Sequence, residues 1–364
     1  MAQIVASHIS GFPPEKINIH TTNMGCGLGR RADPDFIAEA VVVAKILGKP
    51  VKVVWTREED TKFGLFRAAT AQRIEAGLDG QGDLTGWSHK AVAGSLLQRI
   101  NPKGVQNGVD IMSLWGLMDF PGSPDGNKIL YEIPDFYLEF LISSLPVPVC
   151  PWRSVQNGPN AFVVECFIDE LAAAAKKDPL TFRLGLLKGS PRAQKVLQMA
   201  AEKIGWGKSL PKGRGLGIAQ HHCFGTFVAQ AADVSVAEKT GALKVNRVVA
   251  VVDCGMAVSP DNTVRQIEGS IINALSTVFR EEVLFAKGGV KSANFDDYGL
   301  IRMSQVPDIE VHFINSKEPL GGIGEPGVPP TAPAVANAVF QATGARIRRI
   351  PLTPDRILAA LGKK

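Results

Sequence analysis

The chain has 364 residues, 45% of them hydrophobic and 21% charged, with a formal net charge of +5. This composition is typical of a globular protein large enough for one or two packed units. It excludes a polybasic nucleic-acid-binding tail, because the densest basic cluster is only Arg346, Arg348 and Arg349, and no run approaches the roughly 20 apolar residues of a bilayer span.

The N-terminus and the cysteines bear on location and on metal chemistry. The segment MAQIVASHISGFPPEK has no charged region followed by an apolar core, so no export signal is predicted. The cytoplasm is the default location, and the periplasm is the alternative if a partner carries the signal. No cysteines form a CxxC pair, so the sequence predicts neither disulfides nor a zinc, iron–sulfur or other metal-ligand set at Cys26, Cys150, Cys166, Cys223 and Cys254.

The first half of the chain begins with a predicted β-loop-α-β unit. A short strand is expected at 15–22, followed by the loop MGCGLGRR, a helix at 35–48 with apolar residues at helical spacing, and a buried strand at 51–55. Residues 69–95 predict a hairpin that turns at DGQGD. Residues 96–135 have no regular pattern, and we expect a surface excursion there.

Helices are predicted next, and strands dominate after residue 213. A helix is expected at 161–177, followed by short helices in LTFRLGLL and QKVLQMAAEKIGW. The segments GLGIAQHH, TFVAQAADVSV and LKVNRVVAVVDCG predict strands, followed by a helix over 264–278, the strand PDIEVHFI and the helix PAVANAVFQATG. We predict an α+β fold of mixed sheets with packed helices, divided near residue 208 into regions 1–208 and 209–364.

The glycine loop permits three interpretations. A dinucleotide fingerprint needs G-x-G-x-x-G and an acid about 20 residues further on. Here the glycines Gly25, Gly27 and Gly29 form G-x-G-x-G, and no acid ends the segment VKVVW, so a nucleotide-binding α/β protein is the least favoured reading. The alternatives are a turn that needs glycine torsions and a cradle of main-chain N–H groups for another anionic cofactor.

Five ordered blocks resemble the xanthine dehydrogenase and aldehyde oxidase family, in particular its isoquinoline 1-oxidoreductase beta-subunit branch. TTNMGCGLGRR resembles the family's G-G-G-F-G-R loop, and PWRSVQNGPNAFVVECFIDELA resembles its F-R-G-F-G-G-P-Q segment. GGIGEPGVPPTAPAVANAVF resembles the V-G-E-P-P block that carries the catalytic glutamate. FGTFVAQAADVSV and VVDCGMAVSPDNTVRQIEGSI match the strand and helix blocks between them, so the resemblance runs from residue 15 to 355.

The resemblance implies a molybdopterin-binding subunit of an oxidoreductase that hydroxylates an N-heteroaromatic compound or an aldehyde, with water as the oxygen source. Glu325, the one charged residue in 319–340, would be the base, since desolvation among Gly, Pro and Ala favours the protonated form of a carboxylate. Arg153 would orient or polarise the substrate. The implied substrate pocket comprises Val155, which replaces a stacking aromatic, His221 and His222. The implied cofactor contacts are Gly25, Cys26, Gly27, Leu28, Gly29, Gly322 and Gly324.

Two departures from the family pattern shape the remaining expectations. Cys26 replaces a glycine, which would be costly if that position required a positive φ. The M-G-Q-G loop and T-Q segment in the first half of the longer isoquinoline-type subunit are absent from this sequence. We therefore expect a molybdopterin cofactor in its cytosine dinucleotide form, shared with a partner chain that supplies the complementary half, and a separate [2Fe–2S] subunit. The alternative is a truncated, non-catalytic remnant or accessory subunit.

Overall fold

The computed structural model describes residues 1–119, 128–144 and 147–362. The helices are α1 (Ala2–Ser10), α2 (Asp35–Leu47), α3 (Arg57–Phe63), α4 (Leu97–Ile100), α5 (Asn157–Ala174), α6 (Pro179–Gly185), α7 (Pro191–Ile204), α8 (Pro260–Phe279), α9 (Thr331–Thr343) and α10 (Pro354–Ala360). The strands are β1 (Thr70–Leu78), β2 (Leu84–Ala93), β3 (Val105–Gln106), β4 (Val109–Asp110), β5 (Asp135–Ile142), β6 (Arg214–Cys223), β7 (Thr226–Ala237), β8 (Ala242–Asp253), β9 (Phe285–Ala286), β10 (Gly289–Val290) and β11 (Asp308–Phe313).

The larger sheet has the order β11-β8-β7-β6 and is covered on both faces. β6, β7 and β8 are antiparallel neighbours, and β11 runs parallel to β8. Val249 and Val251 point into the cluster that contains α7, whereas Val248 and Val252 point into the cluster that contains α8 and α9. Burial on both faces explains why these strands are almost continuously apolar. The sheet and helices confirm the predicted α+β class.

The smaller sheet has the order β1-β2-β5 and contains the predicted hairpin. β1 and β2 pair antiparallel around the DGQGD turn, and β5 pairs parallel with β2. Trp87 on β2 packs edge-on against Phe167 of α5, with ring centroids 5.0 Å apart. One hydrophobic cluster joins Trp87 to Leu197 of α7 and Val249 of β8, so the two sheets share a core. The division at residue 208 stays a prediction.

The first 64 residues differ most from the sequence-based expectation. The predicted strands at 15–22 and 51–55 are wrong, because a strand needs a neighbour to satisfy its main-chain groups and no described strand pairs with either segment. Helix α2 is confirmed and ends at Gly48 in the left-handed conformation. No residue of α2 is buried, and Ile46 is 76% exposed. Val54, predicted to be buried, is 73% exposed.

The irregular segment 96–135 is more than a surface excursion. Leu96, Leu114 and Leu117 are buried, and the carboxylate of Asp110 accepts hydrogen bonds from the N–H groups of Leu96 and four other donors that include Ser95 Oγ. Residues 120–127 of this segment lie outside the described part of the chain. In the described ranges, no helix has both the length and the apolar character needed to cross a bilayer.

Candidate functional site

The turn that carries Glu325 is anchored to the ends of three strands. Gly321 N–H donates to the carbonyl of Cys254 (3.0 Å), and Gly322 N–H donates to the carbonyl of Phe224 (2.7 Å). Thr226 Oγ1 donates to the Gly322 carbonyl at 2.6 Å. A Cβ on Gly321 would overlap Thr226 Oγ1, so glycine is required at this close approach. The sheet thereby fixes the main chain just ahead of Glu325.

Glu325 itself is half-buried and receives a main-chain hydrogen bond from a distant segment. The N–H of Ser154 donates to Glu325 Oε1 at 2.9 Å. The main-chain carbonyl of Glu325 accepts the N–H of Val328 at 3.0 Å, which closes the turn into α9. Among the described residues, no group donates to Oε2. One carboxylate oxygen is therefore held in place while the other is available.

Ser154 and Val155 adopt left-handed backbone conformations directly before α5. Their φ angles are 72° and 51°. A positive φ is uncommon for serine and a true outlier for a β-branched valine, and each such residue costs on the order of 1–3 kcal/mol. Ser154 stands where the F-R-G-F motif has glycine, a residue that adopts a positive φ without strain. Strain of this kind persists only where surrounding contacts hold it.

Arg67, which lies outside every motif of the sequence, supplies those contacts. Its Nη1 donates to the Val155 carbonyl at 2.6 Å, and its Nη2 donates to the Arg153 carbonyl at 2.7 Å. Burial lowers the pKa of Arg67 to about 10, so the guanidinium remains charged at neutral pH. The contacts join residues 86 and 88 positions apart. No local motif in FGLFRAA marks this arginine.

The Arg153 side chain crosses from the strained turn to the Glu325 turn and to α8. Its Nε donates to the Gly324 carbonyl at 2.7 Å. Its Nη2 lies 3.2 Å from the Gln266 carbonyl and 3.1 Å from Gln266 Oε1. Burial lowers the pKa of Arg153, and the nearby Glu325 carboxylate opposes that shift. Gln266 is a second residue at the candidate site that no sequence motif marks.

The glycine loop packs against the same segment from the other side. Arg153 N–H donates to the Leu28 carbonyl at 2.9 Å. A Cβ on Gly29 would overlap the Pro151 carbonyl, and Gly29 has φ 85°. The positive φ values fall on Leu28 and Gly29, not on Cys26, so the cysteine is not strained as it would have been at a glycine-like position. Segment 151–155 thus brings together the loop, Arg153 and Glu325.

The three residues predicted to line a substrate pocket, Val155, His221 and His222, make packing and hydrogen-bond contacts within this chain. Val155 is buried among side chains that include Ala68. His221 Nε2 lies 2.9 Å from Asn157 Oδ1, and burial with the neighbouring His222 lowers its pKa to about 3, so it is neutral. The His222 ring stacks on Phe227, with centroids 3.8 Å apart. Their assignment to the pocket stays a prediction.

The main chain around the loop fits an anionic organic cofactor. The N–H groups of Gly25, Cys26 and Gly27 donate to no described residue, and a Cβ on Gly25 would meet open space. Unpaired main-chain N–H groups of this kind bind phosphate and other anions. A hollow of about 260 Å³ adjoins the site, and its lining includes Met256, Val258, Gln266, Leu320 and Ile323. Within the described ranges, no three His, Cys, Asp or Glu side chains are grouped as metal ligands.

The chain matches known protein families and individual proteins in sequence. Models of the "Molybdopterin cofactor-binding domain" match residues 1–97 and 187–307. The chain is 34% identical over 353 residues to the beta subunit of the isoquinoline 1-oxidoreductase of Brevundimonas diminuta, covering 96% of this chain and 44% of that protein. It is 32% identical to a nicotinate dehydrogenase subunit of Pseudomonas putida, covering 93% of this chain and 30% of the relative.

Solved structures share the fold. The quinoline 2-oxidoreductase from Pseudomonas putida 86 matches with a TM-score of 0.83 and 15% identity, covering all of this chain and 71% of the other. The aldehyde oxidoreductase from Desulfovibrio gigas matches with a TM-score of 0.75 and 16% identity, covering 93% of this chain and 54% of the other. This chain spans less than half the length of the two relatives matched by sequence.

Proposed function

We propose that this chain, which belongs to the xanthine dehydrogenase and aldehyde oxidase family of molybdopterin-binding subunits, forms part of the catalytic subunit of a molybdenum hydroxylase. The reaction is the hydroxylation of an N-heteroaromatic compound or an aldehyde with water as the oxygen source. Relatives named for isoquinoline and nicotinate support the heteroaromatic class. The observation that carries the proposal is the Glu325 carboxylate held by Ser154 N–H beside Arg153.

Glu325 acts as the general base. When bound, the molybdenum cofactor supplies the two-electron redox chemistry of the reaction. The Ser154 N–H keeps Oε1 fixed, so Oε2 is the oxygen that takes the proton of the water-derived nucleophile. Because the carboxylate is already held on one side, it has little orientational freedom left to lose when the proton is transferred. Such pre-orientation favours efficient proton transfer.

Arg153 contacts the substrate through the nitrogen that its structural bonds leave available. Nε and Nη2 are engaged by the Gly324 carbonyl and by Gln266. Nη1 has no hydrogen-bond partner in the described part of the chain, and it donates to the ring nitrogen or carbonyl oxygen of the substrate. A charged donor suits the negative charge that develops there. Val155, His221 and His222 stay candidates for the wall of the pocket.

The glycine loop and the Glu325 turn hold the cofactor by main-chain contacts. The free N–H groups of Gly25, Cys26 and Gly27 and the N–H of Gly324 are the donors that the geometry offers. The N–H of Gly322 already donates to the Phe224 carbonyl. Gly322 therefore offers the cofactor no donor, but without a side chain it lets the cofactor approach the main chain closely. On the resemblance to the isoquinoline branch, the cofactor takes the cytosine dinucleotide form.

The complementary half of the catalytic subunit docks on what we call the N-terminal apolar face, formed by exposed apolar side chains of α1, α2 and segment 51–55. Ile4, Ile46 and Val54 are 68%, 76% and 73% exposed. An exposed apolar surface of this kind marks a protein interface. The [2Fe–2S] centre is carried by a further subunit, which removes the electrons. Neither partner is a nucleic acid.

Metal analysis of the assembled complex tests the proposal. The chain is co-expressed with a chain that carries the M-G-Q-G and T-Q segments and with a [2Fe–2S] protein. The purified complex should contain molybdenum, release cytidine nucleotide on acid hydrolysis, and oxidise an N-heteroaromatic compound or an aldehyde. A correctly assembled complex without molybdenum and without turnover would contradict the proposed function.

A further inference from the structure

We propose that Arg67 is a positioning residue for Glu325 and that it acts through a single peptide plane, the one that joins Arg153 to Ser154. The inference rests on the proposed role of Glu325 as the base. It assigns a task to an arginine that lies outside every motif of the sequence and that makes no hydrogen bond to Glu325 itself.

The two ends of that peptide unit are held by different side chains. Arg67 Nη2 donates to its carbonyl oxygen, the Arg153 O, at 2.7 Å. Its N–H, the N–H of Ser154, donates to Glu325 Oε1 at 2.9 Å. Because a trans peptide is planar, its C=O and N–H point in opposite directions. A guanidinium that fixes the oxygen therefore fixes the direction in which the N–H meets Glu325.

A second hydrogen bond keeps the next residue from relaxing. Arg67 Nη1 donates to the Val155 carbonyl at 2.6 Å. The planar guanidinium therefore holds one carbonyl before Ser154 and one after it. Ser154 and Val155 have φ values of 72° and 51°. A return to negative φ would lower the conformational energy of either residue. For Ser154, rotation about its N–Cα bond would change the direction of its N–H relative to the Glu325 carboxylate.

The charge of Arg67 also strengthens the bond that reaches Glu325. A cation on the carbonyl polarises the peptide, and hydrogen bonds in such a chain reinforce one another. Charge-assisted bonds are stronger than neutral ones. The Ser154 N–H is therefore a better donor to the carboxylate than an ordinary peptide N–H would be.

Other contacts hold the neighbouring chain segments together without Arg67. Phe66 N–H donates to the Pro148 carbonyl, and Cys150 N–H donates to the Phe66 carbonyl, both at 3.0 Å. Trp152 Nε1 donates to the Leu65 carbonyl, also at 3.0 Å. Loss of the Arg67 guanidinium should therefore disturb residues 153–155 locally and leave the rest of the interface in place.

The test compares Arg67→Met and Arg67→Lys with the control Arg73→Met in the assembled complex. Arg73 is an exposed arginine of β1 that pairs with Glu75, and it has no role in the proposed site. Hydrogen–deuterium exchange is measured by mass spectrometry in peptides that cover Ser154, and kcat and KM are measured separately. For Arg67→Met we expect exchange at Ser154 about tenfold faster and kcat about 10²-fold lower, with little change in KM.

Three outcomes decide the inference. If Arg67→Met matches Arg73→Met in both exchange and kcat, the inference is wrong, whereas the proposed function stands as long as Glu325→Gln lowers turnover about 10²- to 10⁴-fold. If Arg67→Met fails to fold, Arg67→Lys decides. The lysine keeps the charge but lacks the planar fork, so exchange and kcat should lie between those of the wild type and those expected for Arg67→Met. Wild-type exchange and kcat in Arg67→Lys would then overturn it.

Discussion

Replacing Arg183 by methionine should destabilise the chain severely, because it leaves a buried carboxylate without its cation. Arg183 has no exposed surface, and its Nε and Nη2 donate to the Glu165 carboxylate (3.0 Å) and carbonyl (2.8 Å). Its Nη1 donates to Asp169 at 3.2 Å. In the variant, Asp169 retains Arg346 at 2.7 Å, whereas among the described residues Glu165 retains only neutral donors such as Tyr131.

The expected loss is about 3–5 kcal/mol in the free energy of unfolding at pH 7, the usual cost of breaking one partner from a buried pair. Desolvation already raises the pKa of Glu165 in the native protein, and Arg183 opposes that shift. Without Arg183 the pKa of Glu165 rises further. A carboxyl group whose folded pKa is raised destabilises the fold above that pKa and less so below it. The loss should therefore shrink as the pH is lowered from 7 towards 5.

Denaturant unfolding at both pH values, followed by circular dichroism, measures this effect. Arg265→Met is the matched control, because Arg265 is 78% exposed in its ion pair with Glu268 and such a pair contributes about 0–1 kcal/mol. Adding Glu165→Gln to Arg183→Met should recover part of the loss, since it removes the buried charge. If Arg183→Met lost no more stability than Arg265→Met, the assignment of a buried ion cluster to Glu165 would be refuted.

Three further predictions concern the site and its partner. Ser154→Gly should raise the free energy of unfolding by about 0.5–1 kcal/mol, because glycine adopts a positive φ without strain. Calorimetry measures the change in stability, and a lower Tm than that of the wild type would contradict the inferred strain at Ser154. Gly29→Ala should lower the molybdenum content of the complex severalfold, since its Cβ would overlap a main-chain carbonyl, whereas Gly80→Ala, which meets open space, should not. Ile46→Lys should weaken binding of the complementary half at least tenfold, an interface-anchor effect of about 1.4 kcal/mol or more. The matched change Leu141→Lys, at another exposed apolar residue, should leave it unaltered, and equal binding of both variants would exclude the N-terminal apolar face as the interface.

The elements that are buried on both faces could be predicted from the sequence, whereas the segments without a described neighbour could not. β6 to β8 and α9 pack on one another within the chain, so their apolar patterns predict their structure. VKVVW has the same apolar character, yet it forms no strand, because no described strand supplies a hydrogen-bonding edge for it. The apolar pattern of a segment predicts that its side chains are buried, but it does not identify the element that packs against them.

The site divides in the same way. Glu325 and Arg153 could be proposed from the sequence because each lies in a recognisable block. In the structure, Arg153 Nε donates to the Gly324 carbonyl and Ser154 N–H donates to the Glu325 carboxylate. Arg67 could not, because its role depends on two carbonyls more than 80 residues away. The left-handed conformation of Val155 is equally invisible in sequence, since valine is a residue that normally avoids it.

The identity of the base is the central claim, and Glu325→Gln in the assembled complex tests it most directly. Glutamine keeps the volume of the side chain and an oxygen that can accept the Ser154 N–H, but it cannot take a proton. We predict that turnover falls about 10²- to 10⁴-fold, the usual contribution of a general base, while molybdenum per complex equals that of the wild type. Turnover at the wild-type rate, with the same molybdenum content, would contradict the account.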